Sequence, residues 1–130
     1  MKFMLCYDGS EACNDALKVA REYAKRFSAD LHVISSRSEQ EDGAEQGLGG
    51  VRDELEKDGV DCVVESLAHD MTDGENLVDY ARREAVDAVF IGVRRISKVG
   101  KLLFGSTAQY VILSAPCPVI SVRAGVAGEV

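Results

Sequence analysis

Five short apolar runs, separated by stretches of helical period or by polar turns, constrain this chain more than any other feature. They are KFMLCY (2–7), LHVISS (31–36), VDCVVESL (60–67), DAVFIG (87–92) and CPVISV (117–122). Runs this short, and with so few polar breaks, read as strands buried on both faces of a sheet. Between them the period changes. Ser10 stands as an N-cap, and Cys13, Ala16, Leu17, Ala20, Ala24 and Phe27 follow at helical spacing, with Lys18, Glu22 and Lys25 off the stripe. The stretch RSEQEDGAEQGLGG (37–50), acidic and carrying four glycines, reads as a mobile loop. A helix of about ten residues then ends near Lys57, stopped by Asp58-Gly59. Asp73 is the expected N-cap of a helix that turns Leu77, Val78, Ala81 and Ala85 inward, and Ser106 that of a last helix with Ala108, Val111 and Ile112.

Strands alternating with helices imply an α/β fold: an open, doubly wound, five-stranded parallel sheet with helices on both faces. A chain of 130 residues suits one hydrophobic core, expected over residues 1–123, with 124–130 as a loose tail. No run approaches the roughly 18 apolar residues that span a bilayer, and the N-terminus turns polar too early for a signal peptide, so the expected compartment is the cytoplasm. Net charge is −7, unevenly spread: residues 1–90 hold 21 acids and 10 bases, residues 91–130 hold 1 acid and 5 bases. Such an acidic chain is repelled by nucleic acid and by anionic lipid, so neither is expected as a partner, while a local anion site stays open. Cys6, Cys13, Cys62 and Cys117 form no C-x-x-C pair and read as reduced thiols.

In an open parallel sheet, ligands bind beyond the carboxyl ends of the strands, where the strand order reverses. The candidate segments are therefore 8–10, 33–36, 67–69 and 92–106. The last is the richest: it leaves a strand with Gly92, carries Arg94, Arg95, Lys98 and Lys101 without an acid, and ends in Gly105-Ser106-Thr107 at a helix start. Free N–H groups, a helix dipole and hydroxyls make an anion seat there. The alternative, a loop end with a cap and a solvated basic patch, stays open on chemistry alone. Arg95 to Leu102 only approaches a P-loop, having arginine for its first glycine and leucine for its last hydroxyl residue, and Gly47-Leu48-Gly49-Gly50 does not lie between a strand and a helix. A phosphoacceptor receiver of similar topology needs adjacent acids after its first strand and a lysine after its fifth, where this chain has Asp8-Gly9 and Arg123. His32 reads as a packed strand residue, and His69, in Ala68-His69-Asp70, as one that could face the site. No nucleophile–base grouping can be built from two separated histidines, and no metal site is expected.

Asp8 at the end of the first strand, LHVI in the second, the glycine-bearing loop after the fourth and the closing GSTAQYVILSAPCPVISV together resemble the universal stress protein family. The resemblance covers nearly the whole chain. Nucleotide-binding members carry Gly-x-x-Gly, nine residues, then Gly-Ser or Gly-Thr; here Gly92 and Gly105-Ser106 match, while Arg95 stands at the second glycine. The resemblance implies a cytoplasmic sensor or regulator that binds ATP or AMP, with magnesium if ATP, any hydrolysis being slow and incidental. It implies that Asp8 bonds the adenosine part, Val33 lies against adenine, Gly92 lines the phosphate path, and Gly105, Ser106 and Thr107 hold phosphates. With Gly9, Arg94 and Arg95 these make up the expected site. The arginine either fills the space the glycine left or supplies charge to phosphate. The resemblance also implies a homodimer through the fifth strand and an unidentified protein partner. The alternative function is a nucleotide-free homodimeric interaction protein that has lost the motif at Arg95. ATP-using pyrophosphatases and nucleotidyl transferases of related fold need Ser-Gly-Gly-x-Asp-Ser or His-x-Gly-His, and neither string is present.

Overall fold

Alternate residues of the first strand face opposite ways, and both faces are covered. In β1 (Lys2–Cys6), Phe3 and Leu5 join a core with Leu31, Val33 and Phe90, whereas Met4 and Cys6 join a second core with Ile34, Val89 and Ile91. The computed structural model describes residues 1–36, 44–68, 70–93 and 105–125. Its elements run β1, α1 (Glu11–Phe27), β2 (Asp30–Ser35), α2 (Ala44–Lys57), β3 (Cys62–Ser66), α3 (Asp73–Arg83), β4 (Ala88–Val93), α4 (Ser106–Ser114) and β5 (Val119–Arg123). The strands form one sheet in the order β3-β2-β1-β4-β5, every pairing parallel. The α/β sandwich expected from the alternation is therefore the observed one. Helices α1 and α2 contribute to the first core through Ala16, Leu17, Ala20, Leu48 and Leu55; α3 and α4 contribute to the second through Leu77, Val78, Ala81 and Val111. Among the described residues no helix is long and apolar enough to cross a membrane.

The helices depart from the sequence expectation in ways that have physical causes. Residues 44–50, expected in a loop, are helical and extend α2 to 14 residues. Leu48, Val51 and Leu55 recur at helical spacing and are buried, and that burial outweighs the low propensity of three glycines. The remainder of that loop, residues 37–43, lies outside the described residues. The N-cap of α3 is Thr72, not Asp73: the Thr72 hydroxyl accepts the Glu75 N–H, and the Glu75 carboxylate accepts the Thr72 N–H, a complete capping box. The N-cap of α4 is Gly105, so Ser106 is its first helical residue. Phe27 is 57% exposed at the last turn of α1, although its ring still meets Phe3 edge-on. Ala85 is exposed beyond the end of α3, with φ +49.

Three polar contacts tie the layers together. His32 is buried in β2 as a packed strand residue, and its Nδ1 lies 2.7 Å from the Tyr80 hydroxyl of α3. Arg52 of α2 donates to the Val64 carbonyl at 2.9 Å and so occupies an acceptor of the edge strand β3. Of the expected tail, Ala124 and Gly125 are described: the Gly125 N–H donates to the buried Asp15 carboxylate of α1 at 2.6 Å. Residues 126–130 lie outside the described set.

Candidate functional site

Strand β1 pairs with both β2 and β4, so the chain order reverses on its two sides, and a crevice opens at its carboxyl end. The crevice is a cavity of about 640 Å³, within the range of small-molecule sites. Its floor is Cys6 at the end of β1 and Tyr7 and Asp8 just beyond it, with Ile91, Gly92 and Val93 from β4. Three helices begin at its walls: α1 after Ser10, α3 at Asp73 and α4 at Ser106. Parallel strands followed by helices place every helix start at the same edge of the sheet, so positive dipole ends converge there.

The turn out of β1 is held by its own side chains. Gly9 has φ +75, a left-handed backbone, and a Cβ there would meet nothing within 4 Å, so its glycine serves conformation rather than space. Asp8 Oδ1 accepts the Ser10 N–H at 2.9 Å, and Ser10 Oγ accepts the Cys13 N–H at 3.1 Å. The Asp8 N–H in turn points to Cys13 Sγ at 3.4 Å. Asp8 therefore sits at the crevice floor with its backbone and one carboxylate oxygen engaged. Burial pushes the Cys13 thiol up to about 11, and burial with Cys13 alongside pushes Cys6 higher still, so both sulfurs beneath the floor are neutral. Burial also raises Tyr7.

At the opposite wall, Gly105 caps α4 without any side-chain hydrogen bond, and the first backbone bond of the helix is Gln109 N–H to Gly105 carbonyl at 3.0 Å. The N–H groups of Ser106, Thr107 and Ala108 then have no intrahelical acceptor, and the two hydroxyls stand beside them in the cavity lining. This is an anion seat in its chemistry. The same lining carries three carboxylates, Asp8 after β1, Glu11 of α1 and Asp73 of α3, which accept donors rather than anions.

Of the expected site residues, the structure brings Asp8, Gly92, Gly105, Ser106 and Thr107 together in one lining. Gly9 shapes the turn and is not in the lining. Val33 is 0% exposed, its side chain sealed in the core between the sheet and helices α1 and α2. Arg94 and Arg95 lie outside the described residues, as do Lys98, Lys101 and His69. Gly92 does more than leave room in the crevice: a Cβ on it would stand 2.5 Å from the Ala12 carbonyl carbon and 2.6 Å from Cys13 N. Its glycine lets β4 touch the first turn of α1. Sequence reasoning missed Tyr7 and Asp73 as site residues and had Ser36 only as the end of the candidate segment 33–36. For Asp73 a signal existed, because Thr72-Asp73-Gly74-Glu75 is a capping-box string that puts the cap at Thr72 and leaves the aspartate in the first turn.

Residues 1–123 match the universal stress protein family. The chain belongs to that family. A universal stress protein of Synechocystis is 28% identical over 94% of this chain, which spans 42% of that longer protein. A universal stress protein from Archaeoglobus fulgidus superposes with a TM-score of 0.80 at 28% identity, covering 94% of this chain and 98% of that one. Another structure from the same organism, in complex with dAMP, has a TM-score of 0.76 at 25% identity, covering 94% and 97%. In this universal stress protein the crevice between β1 and β4 thus belongs to a fold shared almost end to end with solved relatives.

Proposed function

We propose that this universal stress protein binds an adenine nucleotide, ATP or AMP, in the crevice at the ends of β1 and β4 and acts as a stress-response sensor or regulator. The observation that carries the reading is the pairing, across one cavity, of an α4 start, whose N-cap Gly105 has no side chain to cap it, with the Asp8 carboxylate. The first suits phosphate. The second suits the hydroxyl or amino donors of a nucleoside. Ser106 and Thr107 would hold phosphate with Gly105, and Arg94 and Arg95 would bring charge to it. Magnesium would arrive with ATP. The dAMP complex of the Archaeoglobus relative supports the nucleotide class. Neutral thiols and a lining without a histidine among the described residues favour retention of the ligand over chemistry on it. We place the protein in the cytoplasm, as a homodimer through β5 that signals to a protein partner.

The test is a thermal melt with and without nucleotide, alongside mass spectrometry of small molecules released on denaturation. Ligand at about 100 times its dissociation constant stabilises the native state by about 2.7 kcal/mol, and Asp8→Ala should remove most of that gain. If millimolar ATP and AMP both leave the melting temperature of folded protein unchanged, the reading fails and a nucleotide-free interaction protein replaces it.

A further inference from the structure

Asp73 enters the crevice from α3 with support that its place at a helix start does not require. Thr72 and Glu75 already close the capping box. Behind Asp73 stand two buried polar side chains. Ser36, 2% exposed at the end of β2, donates its hydroxyl to Asp73 Oδ1 at 3.4 Å. Asn76, 4% exposed and one turn along α3, gives its amide nitrogen to Ser36 Oγ at 3.0 Å and to the Ala68 carbonyl at 2.8 Å. Burying polar groups is costly unless they are bonded, and here the bonds run in one direction, from Asn76 through Ser36 to a carboxylate in the cavity lining.

The same turn is fixed sideways. A Cβ on Gly74 would lie 2.9 Å from Tyr110 Cβ, so the first turn of α3 is packed against α4 more closely than an alanine allows. Asp73 therefore shares the cavity with the anion seat, on a turn fixed against α4. An ionised carboxylate accepts hydrogen bonds and repels phosphate. In a nucleotide, the donor group next to the phosphate is the sugar with its adjacent 2′ and 3′ hydroxyls, and the base lies further off.

We infer that Asp73 reads the ribose hydroxyls of the bound nucleotide, with Ser36 and Asn76 as its positioning residues. The inference rests on the nucleotide reading above and narrows it to ribonucleotides. A carboxylate offers about four acceptor sites, so Asp73 can accept neighbouring hydroxyl donors while it holds Ser36, and charge-assisted bonds of this kind are about twice as strong as neutral ones.

Calorimetric titration of AMP, dAMP and inosine monophosphate into wild type, Asp73→Asn and Ser36→Ala tests it. Wild type should prefer AMP to dAMP by about tenfold, the loss expected from one charge-assisted bond. Asp73→Asn, which keeps shape, should shrink that preference to within about twofold, AMP losing more than dAMP, which offers the carboxylate only its 3′ hydroxyl; residual dAMP binding certifies a folded crevice. AMP and inosine monophosphate should weaken together. Ser36→Ala should move the AMP-to-dAMP ratio in the same direction by less. Equal wild-type affinity for AMP and dAMP, a preference that survives in Asp73→Asn, or equal losses for all three ligands would overturn the assignment. So would a loss for AMP that spares inosine monophosphate, since the carboxylate would then be reading the adenine amino group. Wild type that binds none of the three overturns the nucleotide reading itself.

Discussion

Gly92→Ala separates two roles that one glycine plays. The added Cβ would lie 2.5 Å from the Ala12 carbonyl carbon and 2.6 Å from Ala12 O and Cys13 N. Carbon atoms rest at about 3.5–4.0 Å, so the overlap is on the order of 1 Å. The struck atoms are backbone in the first turn of α1 and cannot rotate aside. That turn is held by the Ser10 cap, and behind it Ala16 and Ala20 lie fully buried against the sheet. Relief therefore requires moving the start of α1 away from β4, which loosens a packed layer. Overpacking of this kind costs about 1–3 kcal/mol, and a backbone obstacle puts it in the upper half, about 2–3 kcal/mol. With a urea slope of about 2 kcal/mol per molar, the midpoint should fall by about 1–1.5 M.

The assay is urea unfolding of nucleotide-free protein followed by far-ultraviolet circular dichroism, with Gly105→Ala as comparison. A Cβ at Gly105 meets nothing within 4 Å and its φ is −67, so that change should cost under about 1 kcal/mol as a weakened cap. If Gly92→Ala unfolds at the same urea concentration as Gly105→Ala, the packing argument is wrong, and Gly92 matters only for the space it leaves to a ligand.

Two further outcomes follow from the edges and the buried pair. Val119 and Ile120 are half-buried on the edge strand β5, so in a homodimer formed there Ile120→Lys should give monomer by sedimentation; wild type that is already monomeric at tens of micromolar would refute the pairing. His32 is held below its ordinary 6.5, first by burial and then by Lys2, against the opposing pull of Glu84, Asp30 and Glu65, while burial raises its partner Tyr80 to about 12. The folded state thus favours neutral imidazole: the contribution is whole above about pH 6.5 and is lost as pH falls through the lower folded value, with a slope of at most about 1.4 kcal/mol per pH unit. Urea midpoints at about pH 7 and about pH 5 should fall less in His32→Gln than in wild type, and equal declines would exclude the histidine as the cause.

The strands were legible because a parallel strand covered on both faces must be apolar on both, and 31–36 or 87–92 can be little else. The observed β2 and β4 each begin and end within one residue of those runs. Asp8, Ser10, Gly92, Gly105 and Ser106 were legible for a related reason, since strand ends on one edge share a crevice. Adjacency was not legible. Periodicity orders elements along the chain and is silent on β1 lying between β2 and β4, so nothing in the sequence brought Ser36 of the β2 end to Asp73 of the α3 start. Val33 shows the converse: its strand was read correctly, yet period two turns its side chain into the core. Residues 44–50 were misread because glycine and acid counts say loop, whereas Leu48, Val51 and Leu55 needed a helix to be buried.

Three glycines, of which only Gly47 misled the sequence reading, set how closely the elements around the crevice approach one another. Gly47 of α2 would set a Cβ 2.6 Å from the Tyr7 hydroxyl, Gly74 of α3 meets Tyr110 of α4, and Gly92 of β4 meets the start of α1. Two of the three sit inside helices, where each costs about 1 kcal/mol relative to alanine, so local propensity does not explain them. Close approach does. Tyr7 and Asp8 are neighbours on the crevice floor, and α2 comes down on the tyrosine ring; the start of α3 packs on Tyr110, one turn into α4; α1 begins in contact with β4. Alanine at all three positions would leave the strand order and both cores recognisable, and would set the helices back from the rim or turn the Tyr7 ring into the cavity. The fold class is thus written in side chains that are present, in a period anyone can count, while the shape of the cavity is written in side chains that are missing.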